Sequence, residues 1–282
     1  MVKSKILLIV IFLIGCANEL EYPVKEKIQF GSRESLDIVT WNLENFPKNA
    51  LQTVNEVIEL ITIIDADIIA LQEIKNISFF NEVLNNLDDY SGYLASSSQS
   101  SLNLAYIYKS DLNTDTPFEI LNFNKEIFPR SPLVMSLQEN GNLITIINNH
   151  LKCCSDGIER RKRAMDLLYM HVIENYKNQK IIILGDLNDA LTDTTNNIFI
   201  QFLNDSTNFQ FSDYEIALGS QSYWSYPSWP SHIDHILISN PLFLDVIETK
   251  TIKLEDKYNN GWIEYEKLIS DHRPLGIRLV YK

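Results

Sequence analysis

The sequence predicts an α/β fold in which two packed β-sheets are flanked by helices, and three observations carry that prediction. Strand-like runs outnumber helical ones, helical segments occur in both halves of the chain, and no linker separates the halves. The body of the 282-residue chain therefore reads as one domain. Apolar residues make up 45% of it, with nine Gly and nine Pro, a composition that suits a packed core and excludes a disordered chain.

Leu36 to Trp41 alternates and is rich in strand formers. Within Thr53 to Ile64, the residues Val54, Val57, Ile58 and Ile61 recur at helical spacing. Asp67 to Leu71 is a short apolar run of the kind a buried strand needs, and Phe79 to Leu87 reads as a second helix. Strands then follow over Gly92 to Ser96, Leu102 to Lys109, Phe118 to Phe123, Leu133 to Gln138 and Leu143 to Asn149. Asn140-Gly141 between the last two is a tight-hairpin signal. Glu159 to Tyr176 reads as a long helix, Ile181 to Leu184 as a buried strand and Asn196 to Asn204 as a shorter helix. Ile233 to Ser239, Leu244 to Thr251 and Ile277 to Val280 read as the closing strands.

The N-terminus is of another kind. Lys3 and Lys5 precede the apolar run Ile6 to Ile14, which suits a signal-peptide core and falls short of the ~20 residues of a membrane span. It ends in Leu13-Ile14-Gly15-Cys16, which resembles a bacterial lipobox. That resemblance implies a signal peptide over 1–15, a lipid on Cys16, a tether over 16–35 and a body over 36–282. The chain is then held in the cell envelope outside the cytoplasm, at the outer membrane or cell surface. An ordinary secretory signal with an incidental Cys16 is the alternative.

The formal charge is −13, and loss of Lys3 and Lys5 would take it to −15. Such a chain lacks the broad basic field that drives non-specific nucleic-acid binding, although bound cations can reverse the sign locally. Cys153 and Cys154 are adjacent, and neighbouring Cα atoms lie ~3.8 Å apart, under the ~4.4–6.8 Å usual for a disulfide. A strained vicinal bridge and two reduced, half-buried thiols both stay open.

Acidic, amide and imidazole residues recur where predicted strands end, the usual place for ligands in α/β sheets. Glu73, Asp186 and Asp271 with the amides Asn42 and Asn188 form a hard-oxygen set. Such a set suits Mg²⁺, which keeps coordination positions open for a phosphate, and nearby histidines supply proton transfer near neutral pH. No Cys/His cluster has zinc-finger spacing, and neither a P-loop nor GxGxxG is present, which excludes nucleotide-dependent phosphoryl transfer.

In order along the chain stand Trp41-Asn42-Leu43, Leu71-Gln72-Glu73, Asn149-His150-Leu151, Gly185-Asp186-Leu187-Asn188, Ile233-Asp234-His235 and Ser270-Asp271-His272. This ordered set resembles the endonuclease/exonuclease/phosphatase superfamily, which includes deoxyribonuclease I, apurinic endonucleases, bacterial sphingomyelinases and inositol-polyphosphate 5-phosphatases. The resemblance implies a deoxyribonuclease I-like, four-layer α/β/β/α sandwich with two packed mixed sheets. It implies that Glu73 is the principal metal ligand, assisted by Asn42 and Asp271, and that Asp186 and Asn188 hold the attacking water and a phosphate oxygen. His272 is oriented by Asp234, His150 acts at the phosphate, and Arg130 in Phe128-Pro129-Arg130 is a phosphate ligand. Asp186 and His272 both suit the base; the carboxylate behind the imidazole favours His272. One departure is that no Glu of the deoxyribonuclease type stands behind His150, and Asn103 falls near the position of the apurinic endonucleases' Tyr, with Tyr106 and Tyr108 deeper.

Other polar residues have plainer readings. His232 and His235 suit polar packing, His171 a helix face, and Arg160-Arg161-Lys162-Arg163 a solvated helix face, with phosphate binding as its alternative. The aromatic loop with Tyr223, Trp224, Tyr226 and Trp229 either packs over the core or touches substrate. The expectation is a monomeric Mg²⁺-dependent phosphodiester hydrolase, with Mn²⁺ or Ca²⁺ as substitutes, cleaving extracytoplasmic DNA or RNA by in-line attack of water. A phospholipid or sphingomyelin phosphodiesterase or small phosphate-ester phosphatase is the second reading. An inactive surface-binding lipoprotein is the third, and the filled metal set argues against it.

Overall fold

The computed structural model describes residues 28–96, 101–139 and 141–280. The expected signal peptide, Cys16 and most of the tether lie outside the described residues. Along the chain run β1 (Ser35–Phe46), α1 (Leu51–Ile64), β2 (Ile68–Ile74), α2 (Ile77–Asn85), β3 (Tyr90–Leu94) and β4 (Asn103–Lys109). They are followed by β5 (Phe118–Glu119), β6 (Leu133–Glu139), β7 (Asn142–His150), α3 (Ile158–Asn175), β8 (Lys180–Asp186) and α4 (Ile200–Asn204). The last elements are β9 (Phe209–Phe211), α5 (Tyr214–Leu218), β10 (Asp234–Ser239), β11 (Val246–Thr251), α6 (Trp262–Leu268) and β12 (Leu275–Val280).

Two six-stranded sheets result, in the orders β11-β12-β1-β2-β4-β3 and β5-β6-β7-β8-β10-β9. Each is mixed, with one parallel pair, β1 with β2 and β7 with β8, among antiparallel neighbours. A parallel pair needs a crossover, and α1 and α3 provide the two. Side-chain alternation sorts each central strand into two faces. Leu36, Ile38, Ile68 and Ala70 meet Met135, Ile146, Ile182 and Leu184 between the sheets. Val39, Trp41 and Leu71 pack outward with α1 and α2, and Ile147, Ile181 and Ile183 outward with α3 and α4. The expected α/β/β/α layering is therefore what these residues build. Each fully buried Leu or Ile contributes roughly 1.5–3 kcal/mol.

The inner face changes character along each parallel strand. It is apolar at the start and polar at the C-terminal end, where Asn42, Gln72, Asn148, His150 and Asp186 stand. These groups bond across the sandwich. Gln72 Nε2 donates to Asn148 Oδ1 at 2.8 Å and to Thr40 Oγ1 at 3.0 Å. Asn148 Nδ2 donates back to Leu71 O at 3.0 Å and Ala105 O at 3.1 Å, so β7 is tied to both β2 and β4. The hydroxyl of fully buried Tyr106 shares its proton between Leu133 O at 2.9 Å and Ile146 O at 3.0 Å. The two sheets are pinned in register by polar contacts within an otherwise apolar interior.

Several sequence expectations need correcting. The strand expected over Phe118 to Phe123 stops at Glu119, because Leu121 turns with φ 52° and Phe123 is exposed. The helix expected from Asn196 begins at Ile200, after a left-handed Asn196. Residues from Ile28 onward, assigned to the tether, are packed: Ile28 and Phe30 join the core, and the Phe30 and Gly31 amides donate to Ile64 O. The short β9, α5 and α6 had no periodic signal long enough to be read. No helix among the described residues is long and apolar enough to cross a membrane.

The polar pin makes a direct prediction. Asn148→Leu removes the bond from Gln72 across the sheets and the side-chain donor to two buried carbonyls, so unfolding free energy should fall by about 1–3 kcal/mol. Urea denaturation measures it, and an unchanged midpoint would show that the pin contributes nothing.

Candidate active site

Four of the site residues sit at or next to the C-terminal ends of the parallel strands: Asn42 on β1, Glu73 on β2, His150 on β7 and Asp186 on β8. The ladders break there. Register shifts fall between Asn42 and Phe46 on β1 and between Leu71 and Ile74 at the β2–β4 pairing, and such bulges re-aim side chains. Glu44, Asn45, Glu73 and Asn188 all hold positive φ, at 41°, 55°, 64° and 56°. Left-handed backbone at non-glycine residues concentrates at functional sites, where surrounding contacts over-determine it. Gly185 has φ 134°, and a Cβ there would lie 1.9 Å from Asn149 O. Only glycine lets β8 approach β7 closely enough to place Asp186 beside His150.

Asp186 Oδ2 is the hub. Asn42 Nδ2 donates to it at 2.9 Å, His150 Nε2 lies 3.5 Å away and His272 Nε2 3.9 Å away. Its other oxygen accepts from the Asn188 amide at 3.0 Å. Glu73 lies against the same group, its Oε1 3.3 Å from Asn42 Nδ2 and 3.7 Å from His150 Nε2, and its Oε2 accepts from the Asn45 amide at 2.9 Å. His272 is held from behind by Asp234 Oδ2, 2.7 Å from Nδ1, while its Nε2 lies 3.8 Å from Asp271 Oδ1. Asn188 Nδ2 donates to Leu151 O at 3.3 Å.

Glu73, His150, Asp186, Asn188, Asp271 and His272 line one open cleft of about 750 Å³ with Arg130, Tyr226 and Trp229, while Asn42 and Asp234 bond Asp186 and His272 from behind it. Cys153 and Cys154 stand on its rim. All nine sequence-predicted residues of the metal, catalytic and phosphate set are thus brought together. Arg130 Nε, His150 Nδ1 and Asp234 Oδ1 are buried without a hydrogen-bond partner. Buried polar atoms are normally paired, so orphans around one cleft point to a polar ligand that completes them. Asp186, Asp234 and His272 each offer a ligand atom within 4.8 Å of the others, but the Asp234–His272 hydrogen bond already uses that imidazole. Glu73 and Asp271 are further carboxylates on the cleft, and their oxygens are of the kind that suits a hard cation.

Crowded carboxylates shift the protonation of the group. Burial drives Asp186 up to about 7, with Asp234 and Glu73 adding to the rise and His272 and Asn42 opposing it. Burial likewise drives Asp271 up to about 6, helped by Glu44 and Glu73. Burial disfavours charge on His272, but Asp234, Asp186 and Asp271 outweigh it and raise the ring to about 10. His150 goes the other way: burial, then Arg130 and His272, hold it well below its ordinary value, so its ring is neutral.

Sequence reasoning missed several supporting groups. Glu44 accepts from the Asp271 amide at 2.8 Å and pairs with Lys48. Trp41 Nε1 donates to Tyr265 OH at 3.0 Å, which donates to His272 O at 2.7 Å. Asn103 Nδ2 donates to Ile74 O, clamping the strand end beside Glu73. Arg273 gathers the aromatic loop through Ser222 O and Trp224 O and pairs with Glu255. That loop divides: Tyr226 lies against the His272 ring with centroids 4.9 Å apart, Trp224 is half-buried, and Tyr223 and Trp229 are exposed.

Two plainer readings change. Arg161 is buried rather than solvated, with Nε on Asp189 Oδ2 at 2.9 Å, and Arg160 bonds Ile127 O and Lys125 O. Cys153 and Cys154 are free and exposed, not half-buried. His235 packs as expected against Phe199 and Phe211, but it is also charged. Its Nε2 donates to the Asp189 carbonyl at 2.9 Å, so that nitrogen carries a proton, and its Nδ1 lies 2.7 Å from Asp213 Oδ2. Both nitrogens donate, which makes the ring an imidazolium. His232 Nε2 adds a contact to the same oxygen at 3.0 Å. This buried cluster braces the Asp189 turn beneath the site.

A family model described as the Endonuclease/Exonuclease/phosphatase family matches residues 39–272. The chain belongs to that family and is a hydrolase of phosphate ester bonds within it. Humanised Danio rerio (D. rerio) TDP2 superposes with TM-score 0.69 at 14% identity, covering 87% of this chain and 99% of that one. The human Nocturnin catalytic domain, solved with a bound sulfate anion, gives 0.66 at 15% identity, covering 93% and 100%. A family member from Bacteroides thetaiotaomicron gives 0.63 at 18% identity, covering 88% and 98%. D. rerio TDP2 has also been solved in complex with a single-strand DNA product. At these identities the superpositions establish the shared fold. A search of curated protein sequences finds no match.

The Asp213–His235 pair carries its own prediction. Burial lowers His235, but Asp213 outweighs it and raises the ring; burial raises Asp213, but His235 and His232 outweigh it and hold it low. The His235 contribution is complete below its unfolded value of ~6.5 and is lost as pH rises through the folded value. The Asp213 contribution is complete above ~3.9 and is lost as pH falls through its folded value. Asp213→Asn should therefore cost about 3–5 kcal/mol between about pH 4 and 6.5, and less at alkaline pH. Urea melts at about pH 5.5 and about pH 9 measure this, and an equal loss at both would rule out an ionised pair.

Proposed function

We propose that this chain is an Mg²⁺-dependent phosphodiester hydrolase of nucleic acid that works outside the cytoplasm on a lipid anchor. The observation carrying the chemistry is the convergence on Asp186 Oδ2 of Asn42, His150 and His272, beside Glu73 and facing the orphaned Arg130. Glu73 and Asp271, with the Asn42 amide between Glu73 and Asp186, would hold Mg²⁺, or Mn²⁺ or Ca²⁺ in its place. A bound cation supplies charge neutralisation at a phosphoryl oxygen and at the leaving oxygen.

The chain's own residues do the rest. Arg130 offers its planar fork of donors to phosphate oxygens, and neutral His150 offers an N–H without adding charge. Asp186, with one oxygen fixed by the Asn188 amide and the other by Asn42, is placed to orient a water and take its proton. An imidazole set among Asp234, Asp186 and Asp271 keeps its proton. We therefore assign His272 to donation at developing phosphate charge and Asp186 to the base, reversing the preference drawn from the carboxylate behind the imidazole.

Nucleic acid is favoured by the basic wall of Arg130, Lys152 and Arg160 on an otherwise acidic chain, and by the DNA bound to the TDP2 relative. A lipid head group is the second reading, supported by the 78% exposed Trp229 at the cleft mouth. The export reading rests on Lys3, Lys5, the apolar run and Cys16.

The purified body should cleave plasmid DNA or RNA with Mg²⁺ and leave sphingomyelin and phosphatidylinositol phosphates intact. Glu73→Ala and His272→Ala should each lose about 10²–10⁴ in turnover while keeping the wild-type melting profile. Cleavage of lipid alone moves the substrate to the second reading, and two variants with normal rates would overturn the site. In cells, Cys16→Ser should abolish fatty-acid labelling and release the chain from membranes; unchanged labelling would remove the anchor.

A further inference from the structure

We propose that Cys153 and Cys154 form a dithiol–disulfide modification site on the rim of the cleft, closed by a small-molecule disulfide, and that closure lowers turnover. The effect on turnover rests on the phosphodiesterase reading; the modification does not. Both thiols are exposed, their sulfurs lie 2.7 Å apart, and both border the cleft. Lys152 Nζ stands 3.6 Å from Cys153 Sγ, placing a cation where an attacking thiolate develops its charge. Cys154 holds φ 73° and ψ 166°, a conformation few side chains adopt.

The segment is wired to the site. Arg161 Nη1 donates to Lys152 O at 2.9 Å and to Cys154 O at 2.8 Å, and its Nε donates to Asp189 Oδ2. Asn188 Nδ2 reaches back to Leu151 O. The carbonyls on both sides of Cys153 thus hang from the guanidinium that anchors the Asp186–Asp189 turn. Adjacent Cα atoms are only ~3.8 Å apart, so closing a vicinal ring must rotate the peptide between the cysteines. That rotation swings the Cys153 carbonyl away from Lys152 Nζ, and the dihedral changes it forces on either side shift the Lys152 and Cys154 carbonyls, loosening Arg161 and unsettling Asn188 and Asp189.

The reaction balances. One cysteine thiolate attacks the small disulfide and expels a thiolate, giving a mixed disulfide. The second cysteine attacks that bond, forming Cys153–Cys154 and expelling the other thiolate. The protein loses two protons and two electrons, and the small disulfide is reduced to two thiols.

Titrating the reduced chain carrying Cys16→Ser, in which Cys153 and Cys154 are the remaining thiols, with oxidised glutathione tests this. Intact mass should fall by two hydrogens with no glutathione retained, and turnover of bis-nitrophenyl phosphate should drop on the order of ten- to a hundredfold, as for a slightly misplaced site. Excess dithiothreitol should restore it, and Cys153→Ser and Cys154→Ser should keep basal turnover without the response. Failure to react, a persistent glutathione adduct, or closure with unchanged turnover would each overturn the proposal. If the reduced protein hydrolyses no phosphodiester, that reading fails by itself. The site is then judged by mass and by hydrogen exchange at Asn188 and Asp189, which should rise on closure; unchanged exchange would sink it.

Discussion

The structure depends on one constraint: two sheets must present the ends of their parallel strands to each other at a fixed offset. Apolar contact alone leaves that offset soft, because Leu, Ile and Ala tolerate sliding. Gln72 and Asn148 remove the freedom, since their bonds to each other and to Leu71 O and Ala105 O form only when β2, β4 and β7 stand in one register. Gln72 precedes Glu73, and Asn148 lies two residues before His150. The contacts that fix the sandwich therefore also set the separation of the groups that do chemistry.

The site itself is costly to assemble. Glu73, Asp186, Asp234 and Asp271 are drawn together with little solvent, and burial, with their mutual repulsion adding to it, raises Asp186 and Asp271 above ordinary carboxylates. His272, Asn42 and Arg130 offset part of it, and a cation would offset more. The left-handed Glu44, Asn45, Glu73 and Asn188 show that the backbone is also held away from relaxed geometry. The Asp213–His235 cluster beneath and Tyr265 behind His272 supply the support that such an arrangement needs.

Much of this was legible in the sequence. Long strands with alternating or continuous apolar residues, such as Leu36 to Trp41 and Ile181 to Leu184, and the long helix α3 declare themselves through periodicity. So did the set from Asn42 to His272, because strand ends carry it in a recognisable order. The short β9, α5 and α6 were invisible, since three to seven residues cannot show a period and tertiary contacts decide them. Arg161 and His235 were misread or half-read for another reason. Their partners, Asp189 and Asp213, lie 28 and 22 residues away, and no local pattern announces a buried ion pair. Glu44 had a weak signal, sitting two residues beyond Asn42 on a strand that bulges.

A crystal of the body soaked with Mn²⁺ and inorganic phosphate, read by anomalous scattering, tests the central claim most directly. The account predicts a cation peak between Glu73 and Asp271, with phosphate oxygens against Arg130, His150 and Asn188. A cation bound elsewhere, with this cleft holding neither ion at saturating concentration, would contradict it.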